Sequence, residues 1–258
     1  MLGLVVPVYN EELRWRRSYF NEIASLDKVK LLFVNDGSQD GTISLIKQIS
    51  EEFLNVSYLD LQNNSGKAEA LRLGLLKLTS QPEIKLIGFL DADGAFAASD
   101  ISRILKLIQS QDPSTESSNN TWWWTSRKKL RNNKIKRKLS RHIIGRAIAL
   151  IIQCGYSKLP YDTQSGFKIF QISSEIIRSL QIPFKTSWFF EIELLIRMNN
   201  SSNYAINLIE IVLDYWHEIP GSKIGFANVP NVFWQVLLIK KIQFESRRHK
   251  DWWQYNGH

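Results

Sequence analysis

The chain has 258 residues, 44% of them hydrophobic, enough for one large domain or two small ones with a proper core, and nothing in its composition suggests disorder throughout. Its single cysteine, Cys154, excludes an intrachain disulfide and suits a reducing compartment, while His142, His217, His249 and His258 lack the spacing of a zinc site. The formal charge of +8 is concentrated in residues 126–146 and 240–253, runs that suit nucleic acid, an anionic membrane or a phosphorylated substrate.

The chain opens directly on a strand-like stretch, Leu2 to Val8, without a cleavable or charged leader, from which a cytoplasmic protein is expected. Further strands are expected over Val29 to Asn35, Val56 to Leu61 and Ile84 to Leu90. Between and after them, apolar residues at helical spacing predict helices over Glu11 to Ser25, Thr42 to Phe53, Lys67 to Leu78 and Ser99 to Gln109. This alternation predicts an α/β fold with right-handed crossovers and a mostly parallel sheet, whose ligands gather at the carboxyl ends of the strands. Residues 109–121, QSQDPSTESSNNT, read as a linker. Beyond it come a strand TWWWTS, the basic segment, a helix through Ile152, a strand around SGFKIF, a helix over Glu191 to Met198, a last strand AINLIEIVLDYW and an amphipathic C-terminal segment. The longest apolar stretches, IIGRAIALIIQC and VFWQVLLI, fall short of the roughly 18 residues a membrane-spanning helix needs. The expected organisation is one domain over residues 1–224, with a nucleotide-binding half (1–108) and an acceptor half (122–224), followed by a basic amphipathic segment (225–258).

The four N-terminal strands all end in polar, turn-forming clusters. Pro7, Tyr9, Asn10 and Glu11 follow the first, Asp36, Ser38 and Asp40 the second, Gly66 and Lys67 the third, and Asp91, Ala92 and Asp93 the fourth. Gly66-Lys67 is no Walker motif, because Leu61 and Ala68 break its pattern. Asp91 and Asp93, two residues apart in extended chain, point to the same side and repel unless a cation lies between them. A hard divalent ion such as Mg2+ or Mn2+ suits them, since it keeps one or two carboxylates and takes substrate phosphates and water for the rest. The tryptophans 122–124 read as packing residues of a strand.

These clusters resemble the family 2 glycosyltransferases, which use the GT-A nucleotide-sugar fold, and the resemblance runs from the first strand to about residue 224. It is nearest to the polyprenyl-phosphate branch, the dolichyl-phosphate glucose and mannose synthases, through TSR (125–127), DTQSGFKIF (162–170), WFFEIELL (188–195) and WHEIPGSK (216–223). DADGA and DTQSGFK together favour the glucose enzymes. The resemblance implies that Pro7, Tyr9, Glu11, Asp36 and Lys67 line the nucleotide pocket, with Asn10, Ser38, Asp40 and Gly66 beside them. It implies Asp91 and Asp93 on the metal, Arg127 with Arg131 or Arg141 on the acceptor phosphate, and Asp162, Glu191 and Glu193 as further catalytic candidates. Three positions depart from the family pattern: TSR replaces GSR, Ser165 replaces a cysteine, and Glu191 replaces the aspartate of FDxEL. The family's membrane helices are missing, so attachment is expected through residues 229–253 to an anionic membrane, or through a membrane-anchored partner.

The expected reaction is inverting transfer of a sugar from UDP-glucose, with GDP-mannose as the alternative donor, to a polyprenyl phosphate. Such an acceptor arrives largely ionised and hardly needs a base. A sugar-hydroxyl acceptor would instead require Asp162 or Glu193 to take a proton. Nucleic acid is not expected as a partner, since the basic run carries no recognisable binding motif and that reading leaves the decorated strand ends unexplained.

Overall fold

The computed structural model describes residues 1–110, 120–136, 146, 149–152, 159–201, 206–217, 219 and 229–248. Its N-terminal half alternates β1 (Leu2–Val8), α1 (Arg17–Ala24), β2 (Val29–Asp36), α2 (Thr42–Glu52), β3 (Val56–Leu61), α3 (Lys67–Thr79), β4 (Leu86–Leu90) and α4 (Ala98–Gln109). The later elements are β5 (Thr121–Ser126), β6 (Lys134–Lys136), β7 (Phe167–Gln171), α5 (Ser174–Gln181), α6 (Phe190–Ser201), β8 (Asn207–Val212), β9 (Tyr215–His217) and α7 (Val229–Arg248).

Seven strands form one sheet in the order β3-β2-β1-β4-β7-β5-β8. Neighbours are parallel except at β7, which runs antiparallel to both β4 and β5. Successive side chains of a strand face opposite ways, so every strand feeds two cores. Val5, Phe89, Trp122 and Trp124 pack under α3, α5, α6 and α7. Leu4, Val6, Trp123 and Ile169 pack on the other face under α1, α2 and α4. The three consecutive tryptophans are all buried, the outer two completely, and act as packing residues.

The helix expected over Glu11 to Ser25 is divided into a 3-10 turn, Glu12–Arg14, and α1. The single strand expected over AINLIEIVLDYW is cut into β8 and β9. At the break, Asp100 of α4 accepts hydrogen bonds from the Asp214 and Tyr215 amides at 3.1 and 3.0 Å. β9 leaves the main sheet and pairs with β6.

Candidate active site

The parallel strands deliver their polar ends to one edge of the sheet, and hydrogen bonds between the loops tie those ends together. After β1, the Asn10 amide donates to Ser38 Oγ (3.0 Å), and Asn10 Oδ1 accepts from the Gln39 amide (2.9 Å). The Glu11 amide donates to Thr42 Oγ1 (2.8 Å), and the Glu11 side chain pairs with Arg14. Asp40 accepts from the Thr42 amide and hydroxyl and from the Glu12 amide. Its slight burial works against ionisation, but those hydrogen bonds outweigh it and hold the carboxyl below its ordinary range. Pro7, next to last in β1, is half-buried, Tyr9 just beyond the strand is half-buried, and Ala92 sits half-buried between the two site aspartates.

Asp36, at the end of β2, is 3% exposed and accepts hydrogen bonds from the amides of Ser65 and Gly66 at 2.7 and 2.9 Å. Those bonds fix the turn before α3, where Gly66 adopts φ 88°, a left-handed value natural to glycine. Lys67 then begins α3 with its ammonium 2.5 Å from Asp91 Oδ1.

The amide of Asp91 donates to Gly166 O (2.9 Å), and a Cβ on Gly166 would lie 1.9 Å from Asp91 Oδ2. Asp93 accepts from the Ala95 amide (3.0 Å). Burial, and then the neighbouring Asp91 carboxylate, push the Asp93 carboxyl above its ordinary pKa. The buried Tyr19 phenol lies within electrostatic reach of both carboxylates; burial first and then Asp93 and Asp91 raise its pKa, and its hydroxyl has no hydrogen-bond partner. A hard divalent cation fits this donor set, because two crowded carboxylates gain from a charge placed between them. No group of three or more metal-ligating side chains occurs among the described residues, which leaves further positions to phosphate and water.

Because β7 is antiparallel, its beginning rather than its end meets this edge, and the segment 162–168 stitches the site together. Arg127, at the end of β5, grips Asp162 in a fork, Nε to Oδ2 at 2.6 Å and Nη2 to Oδ1 at 2.8 Å, and its backbone amide adds a third bond. Its guanidinium also donates to Gln164 O and lies over the Trp216 ring at 5.2 Å. Arg127, expected to meet the acceptor, is paired with Asp162 through Nε and Nη2. Arg131 is exposed on the adjoining turn, and Arg141 lies outside the described residues.

The two glutamates of α6 differ. Glu193, fully buried, accepts from the Lys185 and Thr186 amides, the Thr186 hydroxyl and Arg197, so both of its oxygens are engaged in holding the chain before α6. Glu191 is 6% exposed and pairs through Oε1 with Lys168 Nζ at 3.0 Å, while Oε2 has no hydrogen-bond partner. Lys168 was not among the expected site residues. Its signal was a lysine inside the apolar run GFKIF, a place that demands a charged partner. Arg146, the last residue of the basic run 126–146, donates to Tyr161 O (2.6 Å) and stacks 4.0 Å above the Tyr161 ring, with Lys128 at 5.6 Å from the same ring.

Residues 4–155 match the family model described as Glycosyl transferase family 2. A protein named dolichyl-phosphate beta-glucosyltransferase ALG5A, from Trichomonas vaginalis, is 30% identical over 239 residues, 88% of this chain and 69% of that protein. A Saccharomyces cerevisiae protein named dolichyl-phosphate beta-glucosyltransferase is 27% identical over 241 residues, 88% of this chain and 70% of its own length. Among solved structures, glucosyl-3-phosphoglycerate synthase from Mycobacterium tuberculosis, in complex with Mn2+, UDP and glucosyl-3-phosphoglycerate, superposes with a TM-score of 0.60 at 17% identity, covering 94% of this chain and 79% of that one. The architecture is thus the GT-A fold.

Proposed function

Since the chain belongs to glycosyl transferase family 2 and is a glycosyltransferase, we propose that it moves glucose from UDP-glucose to a polyprenyl phosphate, with Mg2+ or Mn2+ on Asp91 and Asp93. When bound, such an ion supplies positive charge to the departing diphosphate. The remaining work falls to side chains. Lys67, held by Asp91, adds a second cation beside the diphosphate, and the Asp36-bound turn at Ser65 and Gly66 presents the N-terminus of α3 to it. The names of the relatives support glucose and a lipid phosphate, and the Mn2+ and UDP of the Mycobacterium tuberculosis complex support the donor and metal.

The observation that carries the choice of acceptor is the state of Asp162. Of the two carboxylates expected as bases, Glu193 has both oxygens engaged, and Asp162 already accepts three hydrogen bonds from Arg127 and one from the Gln164 amide. Beside it, Lys128 and Arg146 lie over the ring of Tyr161, and Arg127 pairs with Asp162 itself. That arrangement suits an acceptor which brings its own negative charge and needs orientation rather than deprotonation.

A lipid acceptor also calls for a route to the membrane. No helix of the described residues is long and apolar enough to cross one. α7 instead packs Val236, Ile239 and Ile242 on the core and leaves Phe233 and Trp234 64% exposed and Phe244 56% exposed, with Leu237 on the same outer side. Gln243 donates to Ile152 O (3.1 Å), beside the exposed Leu150 and Ile151. Lys241, Arg247 and Arg248 supply positive charge, and the combination fits an anionic lipid surface.

Radiolabelled UDP-glucose and GDP-mannose, each incubated with polyprenyl phosphate and Mn2+, test the reading. Label is expected in the organic phase from UDP-glucose. Transfer to a water-soluble sugar alone would overturn the lipid acceptor, and transfer from GDP-mannose alone would overturn the donor.

A further inference from the structure

Lys168 stands in the interior of β7 with its side chain fully buried. Burying a charge there is costly unless it is paired and hydrogen-bonded. The ammonium donates to Ser165 O (2.6 Å) and to Glu191 Oε1 (3.0 Å), and lies over the rings of Trp124 (4.8 Å) and Phe89 (5.4 Å). One bond therefore braces the loop whose Gly166 seats Asp91, and the other aims at Glu191. A purely structural ion pair satisfies both carboxylate oxygens, as Glu193 does two residues along the same helix. Glu191 does not: it is more than nine-tenths buried and its Oε2 lacks a partner. Leaving such an atom unpaired costs stability, so an orphaned oxygen at a site points to a ligand.

We infer that Lys168 is a positioning residue for the transfer: it keeps Glu191 charged and oriented through Oε1, reserving Oε2 to accept a hydrogen bond from a hydroxyl of the transferred sugar. The identity of that hydroxyl rests on the glucosyl-transfer reading; the charge relationship between the two side chains does not. Besides Lys168 of β7, the Lys67 ammonium of α3 lies within electrostatic reach of Glu191, while Asp162, in the loop before β7, and Lys67 reach Lys168. Burial lowers the Lys168 pKa, with Glu191 the largest influence in the opposite direction, so the two charges depend on each other.

The full chain, labelled with 13C at glutamate carboxyls, provides the test, the Glu191 signal being identified by its loss in Glu191→Gln. In Lys168→Met and Lys168→Gln the titration of Glu191 should move up by about one pH unit or more relative to the parent chain. Transfer from UDP-glucose should fall about 100-fold in Lys168→Met and less in Lys168→Gln, which keeps a donor for Oε1. The double variant Lys168→Met/Glu191→Gln should be no slower than Glu191→Gln alone. A packing role predicts the opposite order, since methionine resembles the lysine stem more closely than glutamine does. An unmoved Glu191 titration in either folded Lys168 variant, or near-parental transfer by Lys168→Met, would overturn the inference, and Lys168→Gln carries both readouts should Lys168→Met not fold. Because the titration needs no substrate, a parent chain that transfers nothing to polyprenyl phosphate would count against the proposed acceptor and leave the role of Lys168 to the titration.

Discussion

A methyl group at position 166 would have nowhere to go, since it would land on the carboxylate of Asp91. Gly166→Ala should therefore displace Asp91, weaken Mn2+ binding in the presence of UDP and lower turnover about 100-fold, as calorimetric titration and the transfer assay would show. Asp93 gives a prediction of opposite sign for stability. Its folded pKa is raised, so ionisation costs the fold: the cost is absent below the unfolded carboxyl's value and appears as pH rises through the folded one. Asp93→Asn should then abolish most turnover yet melt above the parent chain at pH 7 in EDTA, with the advantage lost when Mn2+ and UDP are added. Scanning calorimetry under both conditions checks this; a lower melting temperature in EDTA would count against the crowded pair. Asp162→Asn is a poor test of base catalysis, because breaking a buried pair costs about 3–5 kcal/mol of stability whatever the chemistry.

At the scale of elements, legibility followed the range of the forces involved. β1, β3 and β5 have the bounds the sequence implied, because apolar runs between turn residues are local signals. α5 went unread although Ser173 caps it, accepting from the Ile176 amide at 3.3 Å, and Pro183 follows it; eight residues leave little periodicity to detect. The break between β8 and β9 was not readable, since Asp100, more than a hundred residues away in sequence, imposes it. In the site, the clustering of strand-end residues was legible from the fold pattern. The commitments of Arg127 to Asp162 and of Glu193 to the chain before α6 were not, because composition shows a charge but not its partner. α7 yields its own prediction. Replacing Phe233, Trp234 and Leu237 by Ser should abolish flotation with anionic vesicles while leaving the melting temperature nearly unchanged, since these side chains face outward. A large loss of stability would instead mean that they pack against the chain.

For the whole molecule, the direction of β7 has a consequence in time. Leu90, at the end of the strand that presents Asp91, pairs with Phe167, so the sheet cannot close beside β4 until β7 has been made. At typical rates of synthesis the intervening stretch takes on the order of ten seconds to appear. During that interval β1 to β4 can pair among themselves, but β4, carrying the apolar Ile87 and Phe89, remains an open edge able to recruit another strand. Residues 1–110 expressed alone should accordingly aggregate although they contain β1 to β4 and α1 to α4, and light scattering of that fragment beside the full chain would show it. The nascent protein thus passes through a window in which the strand that ends in Asp91 is an open, adhesive edge, and the arrival of DTQSGFK both joins the candidate site and closes that edge.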